Sequence, residues 1–156
     1  THTKNLGHLT TKTRQRPHFL RDVTMIEQIA LTLGRCLLGL YFLLPGLSKI
    51  AGYAGTLAYM ELHNVPLSNL LLPVTIVLQV GGGLALLLGY RIRETALLLA
   101  GLTIAINIGM HDFWNTYPEV SSDRETQNFV KNLAIFAGLL VLCSVHSLPQ
   151  FRISRA

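Results

Sequence analysis

Four consecutive residues, His111-Asp112-Phe113-Trp114, bring together an imidazole, a carboxylate and an indole. They follow an apolar run, Thr95 to Met110, and precede a polar segment, Asn115 to Asn128. An imidazole titrates near neutral pH and can pass protons. A neighbouring carboxylate can orient that ring or pair with a cation. In helical steps of four and three, Thr103, Asn107, His111 and Trp114 fall on one face. Two readings follow. In one, Trp114 anchors at lipid headgroups and His111-Asp112 cap a helix end. In the other, these residues form a polar site just below a membrane surface.

The positioning elements are read from composition. Of 156 residues, 50% are hydrophobic and only 13% charged, and the mean hydropathy is positive at +0.42. Such a balance points to a membrane protein. A bilayer-crossing helix needs about 20 apolar residues. Four stretches approach this, at 29–50, 70–90, 95–113 and 129–148. The expected fold is all-α: one four-helix transmembrane bundle over 25–150, with a basic polar arm at 1–24 and a basic tail at 151–156. The arm is polar and lacks the pattern of a cleaved signal peptide.

The net charge of +5 is spread along the chain, so nucleic acid is not an expected partner. Lys4, Lys12, Arg14, Arg16 and Arg21 precede the first span, Arg91 and Arg93 lie between the second and third, and Arg152 and Arg155 end the chain. The segment 51–69 has no Lys or Arg. The positive-inside rule then puts both termini in the cytoplasm and 51–69 and 115–128 outside. In 51–69, Thr56–His63 reads as a short interfacial helix, with Glu61 and His63 solvated.

Spacing adds further residues. Arg35, Gly39, Phe42, Gly46 and Lys49 make one stripe on the first span. Arg35 is the cytoplasmic-side member and is expected to face protein, water or a lipid phosphate. Gly81, Ala85 and Gly89 make a small-residue stripe for helix packing, and Gln79 must find a hydrogen-bond partner at mid-depth. The topology gathers Lys49, Gln79, Asn107, His111, Asp112, Trp114, Lys131 and Asn132 toward the outer side. Asp112 is expected to pair with Lys49 or Lys131, and His111 to bond Asn107 or a ligand. Phe42, Phe113, Trp114 and Phe129 would wall a flat headgroup such as a quinone ring. His111 and Asp112 alone do not make a metal site. Haem, iron–sulfur and flavin motifs are not seen. Cys36 and Cys143 read as small buried residues or as a redox pair between the first and last spans.

The order and spacing of Arg35-x3-Gly39-x2-Phe42-x3-Gly46-x2-Lys49, Gly82-Gly83-Leu84-Ala85-Leu86-Leu87-Leu88-Gly89, His111-Asp112-Phe113-Trp114 and Phe129-x-Lys131-Asn132-Leu133-Ala134 resemble the DoxX family of small four-helix membrane proteins. The likeness runs from about Ile26 to Leu142. Glu often stands in that family where Gln79 stands here, and an amide has no proton to relay. The resemblance implies a multi-pass protein of the bacterial inner membrane. Archaeal relatives are membrane subunits of a thiosulfate:quinone oxidoreductase; others are linked to oxidoreductase complexes or thiol homeostasis. The expected function is therefore a subunit of a quinone-linked redox complex, in contact with lipid and other membrane subunits. It would bind a quinone or a lipid headgroup without any covalent cofactor. The alternative is a non-catalytic accessory subunit of a larger membrane complex. A small transporter is the third reading, and it would need polar residues beyond Arg35 and Gln79 in the other leaflet.

Overall fold

The structure is a computed structural model that describes the backbone of residues 18–145 and side chains from residue 25 onward. Most of the basic arm, His146 and the tail lie outside the described residues. Five helices follow one another: α1 (His18–Ala51), α2 (Tyr53–Leu62), α3 (Ser68–Leu88), α4 (Ile92–Met110) and α5 (Ser122–Ser144). Four are long and apolar enough to cross a membrane: α1 over Met25–Ala51, and α3, α4 and α5. The short α2 is the interfacial helix expected near Thr56–His63, and it begins three residues earlier.

The helix ends differ from the sequence expectation in an instructive way. α5 starts at Ser122, although 115–128 reads as a polar connection. Ser121 is its N-cap, accepting a hydrogen bond from the Arg124 amide through its hydroxyl, and Asp123 and Glu125 lie in the first turn. Carboxylates there meet the positive end of the helix dipole, so this polarity belongs to a helix start. α4 stops at Met110, which places His111–Trp114 beyond the helix and removes Trp114 from the helical stripe. α3 ends on Gly89, whose φ of +72° suits the left-handed C-cap position.

α1 packs closely on α3 and α4 on α5; α3 and α4 join the two pairs, and α1 and α5 touch little. Glycine sets the α1–α3 distance. A Cβ on Gly83 would lie 2.7 Å from both the Gly39 carbonyl oxygen and the Leu43 nitrogen. Gly46 is somewhat less tight, a Cβ there lying 2.9 Å from a Val80 methyl and 3.1 Å from the Gln79 Cβ. The expected stripe of Gly81, Ala85 and Gly89 is therefore corrected: Gly82 and Gly83 make the packing face, and Gly81 meets open space. One residue along a helix turns the side chain by about 100°, enough to exchange faces.

The apolar core, including Phe42, Leu86, Ile92, Leu99 and Leu139, fills the half of the bundle nearer the α3–α4 connection. Apart from Thr95 at the start of α4, the buried polar groups gather in the other half, under α2. On the outside, Ile26, Ile29, Leu33, Leu37, Leu40, Leu44 and Leu47 make an exposed stripe along α1. An apolar strip of that length is a lipid-facing surface.

Candidate functional site

At the α2 end, α1 and α4 finish while α3 and α5 begin. A cavity of about 280 Å³ opens there between α1, α4 and α5. Its polar lining is Lys49, Gln79, His111, Asn128, Lys131 and Asn132. Tyr41, Phe42, Pro45, Thr103 and Ile106 complete the walls. Five residues singled out from sequence therefore share one cavity. Asn107 lies behind it, 1% exposed, donating through Nδ2 to the Phe129 carbonyl at 3.2 Å. Thr103 satisfies its hydroxyl on the Leu99 carbonyl.

The individual partners matter for chemistry. Asn132 accepts a hydrogen bond from the Tyr41 hydroxyl at 2.8 Å, and Lys131 donates to Asn128 at 2.9 Å. Lys131 is otherwise exposed, and Lys49 is half-buried. The side-chain oxygens of Gln79 and Asn107 are buried and have no partner. A buried acceptor left alone costs about 1–3 kcal/mol, so Gln79 marks the wall, and Asn107 the layer behind it, as incomplete in polar terms.

His111 is held from behind. Its Nδ1 lies 2.6 Å from Glu125 Oε2, and Glu125 Oε1 accepts the Tyr59 hydroxyl at 2.6 Å. A carboxylate only accepts, so Nδ1 carries the proton and Nε2 is the ring's remaining polar atom. Glu125 is 3% exposed, so the carboxylate is shielded from water, while the His111 ring stays half-buried at the cavity wall. Burial and the bond to Glu125 push the Tyr59 hydroxyl well above its usual range.

Asp112 corrects the expected lysine pairing. It bonds neither Lys49 nor Lys131. It accepts from His63 Nδ1 at 2.8 Å, Asn115 Nδ2 at 2.7 Å and the Tyr117 hydroxyl at 2.5 Å. The expectation for His63 also fails: its side chain is fully buried, whereas Glu61 is exposed as expected. Lys49 and Lys131 reach the cavity from α1 and α5, while Asp112 turns away beneath α2. The His111 ring likewise bonds Glu125 and not the Asn107 side chain, while its backbone amide donates to the Asn107 carbonyl at the end of α4. Tyr59 and His63, one turn apart on α2 with rings 4.5 Å apart, thus cover two adjacent acid–imidazole pairs. Sequence reasoning missed Tyr59, Tyr117 and Glu125, and misplaced His63. The usable signals were the four-residue spacing of Tyr59 and His63 and the capped start of α5.

Burial alone would raise the Asp112 carboxyl, but the bonds from Tyr117, Asn115 and His63 outweigh it and hold it below 3.8. The bond to Asp112 raises Tyr117 in turn. A depressed carboxyl stabilises the fold fully above its unfolded value and loses that contribution as pH falls through the folded one. Thermal midpoints in detergent are therefore expected to drop below about pH 4 more steeply in the native protein than in Asp112→Asn. Parallel curves would show that Asp112 is not held in this way.

Trp114 stands outside the cavity, 55% exposed. It packs edge-on against Phe113 and Phe129 at 5.2 and 5.9 Å, so it belongs to an interfacial belt. Phe42 lies apart from these rings, against Tyr41. Arg35 is far from the cluster. Its guanidinium lies against Gly89 at the end of α3, where carbonyl groups leave partial negative charge. Cys36 and Cys143 are free and half-buried. Among the described residues, no three His, Cys, Asp or Glu side chains gather as metal ligands would.

The DoxX family profile matches residues 30–112. The chain is 40% identical to the inner membrane protein YqjF of Escherichia coli (strain K12) over 117 residues, 75% of this chain and 84% of that protein. It is 26% identical to the inner membrane protein YphA of the same strain over 121 residues, 78% of this chain and 86% of that protein. No solved structure gives a significant match. With four membrane-length helices and relatives seated in the inner membrane, the chain is a multi-pass inner-membrane protein and belongs to the DoxX family.

Proposed function

We propose that this protein is the ligand-holding membrane subunit of a redox complex and that it binds a quinone ring in the cavity between α1 and α5. The observation that carries this reading is His111, oriented by Glu125 and sharing a wall with Lys49, Lys131 and the unpartnered oxygen of Gln79. A quinone presents carbonyl oxygens, which accept hydrogen bonds from ammonium groups. On reduction those oxygens gather negative charge, which the lysines favour. They then need protons, and the His111 ring, held through Nδ1–H on Glu125, gives one from Nε2 when it is doubly protonated and takes its replacement from water. The Gln79 oxygen accepts a hydroxyl of the reduced ring. The electrons come from a redox carrier in a partner subunit. With the basic α3–α4 connection in the cytoplasm, the cavity opens on the outer side.

Titration of the purified protein with a tail-less quinone tests this. Lys131→Ala and His111→Ala are each expected to weaken binding about tenfold or more, since a charge-assisted hydrogen bond is worth about 1.5–3 kcal/mol. Lys131→Arg should retain most of the affinity. Unchanged affinity in both alanine variants would remove the quinone site.

A further inference from the structure

A second hollow adjoins the polar cavity. It is an apolar groove of about 490 Å³ between α3 and α4, roofed at one end by Met60 of α2 and by Val65. The two share Lys49 and Ile106 in their linings. We infer that this groove holds the single apolar tail of the ligand whose ring sits at His111, so that the site takes an isoprenoid quinone lengthwise, head under α2 and tail along α4.

The inference rests on the quinone reading above, and three observations support it. The groove follows α4 from Leu97 to Met110, thirteen steps and about 20 Å at 1.5 Å each. That suits one extended chain. Its floor is hollowed where α4 presents Gly101, Ala105 and Gly109 one turn apart, and a Cβ on Gly101 would meet nothing within 4 Å. Lys49 lines both hollows, and the polar one also holds Gln79, a 94% buried residue whose side-chain oxygen has no partner. An apolar channel leading to an unsatisfied polar end matches an amphiphile with one head and one chain. A second apolar crevice, lined by Ala30, Leu38, Tyr41 and Ile135 among others, meets the cavity only at Tyr41. It is the competing location for the tail.

The test uses a quinone bearing a tail of about 20 Å with a photoreactive diazirine at its far end, bound to the full-length protein in detergent. Labelling is expected on Leu97, Leu98 or Leu102. Gly101→Leu, and separately Ala105→Leu, should reduce it about tenfold while leaving binding of the tail-less quinone unchanged. Labels concentrated on Ala30–Leu38, or spread along the lipid-facing stripe of α1, would overturn the groove even if the tail-less ring binds. Labels in the groove that excess tail-less quinone does not displace and a fatty acid does would keep the chain site and defeat the quinone reading.

Discussion

Glu125→Ala is expected to lower the unfolding free energy in detergent by about 2–6 kcal/mol, since it leaves two donors without an acceptor at about 1–3 kcal/mol each. Glu125 is the shared acceptor of two buried or half-buried donors, the Tyr59 hydroxyl and His111 Nδ1. Its loss strands both and unties α2 from α5 at once. Glu125→Gln keeps one acceptor oxygen but turns an amide N–H₂ toward a donor, so an intermediate loss of about 1–3 kcal/mol is expected. The two variants also separate structure from binding. Glu125→Ala frees the His111 ring, so it should weaken tail-less quinone binding about as much as His111→Ala does, and Glu125→Gln, which keeps an acceptor oxygen, should weaken it less. Reversible unfolding in mixed micelles reads the first effect and ligand titration the second. A Glu125→Ala protein within about 0.5 kcal/mol of the native one, as for an ordinary surface change, would mean that the dyad holds nothing together.

The second large effect concerns a position with no chemistry. Gly83→Val is expected to cost more than the usual 1–3 kcal/mol of an overpacked site. The atoms that its side chain would meet, the Gly39 oxygen and the Leu43 nitrogen, are backbone and cannot rotate away. α1 must then move off α3. Gln79 and Gly46 lie one to two turns along the same contact, so the cavity should loosen with it and ligand affinity should fall. Gly81→Ala is the control, because a Cβ there meets open space; its stability should stay within about 0.5 kcal/mol of the native protein. Equal melting of Gly83→Val and Gly81→Ala would disprove the tight α1–α3 seam.

Much of the architecture was legible because membrane helices announce themselves by length and apolarity. The spans come within a few residues of those expected at α3 and α4. The gathering of Lys49, Gln79, His111, Lys131 and Asn132 at one end was legible too, since topology alone sets depth. The pairings were not. Charge sign favours Asp112 with a lysine, yet the carboxylate takes its three donors from His63, Asn115 and Tyr117. Which side chains meet across 49 residues of chain, as His63 and Asp112 do, depends on where α2 lies, and a ten-residue helix leaves only the spacing of Tyr59 and His63 as a trace of its docking face. Glu125 was hidden for a different reason. A polar stretch can be a loop or the first turn of a helix, and only the cap at Ser121 tells them apart.

The unequal packing of the helices has a mechanical consequence. Two stiff plates, α1 with α3 and α4 with α5, are joined along the α3–α4 edge, while the opposite edge is nearly free. The softest deformation of such an object is a rotation of one plate against the other about that spine, as in a book opening. Among the described residues, a single hydrogen bond, Tyr41 to Asn132, clasps the free edge. Both residues sit in the cavity wall. The width of the cavity is thus the coordinate along which the whole bundle is most compliant, and the clasp is where that compliance is set.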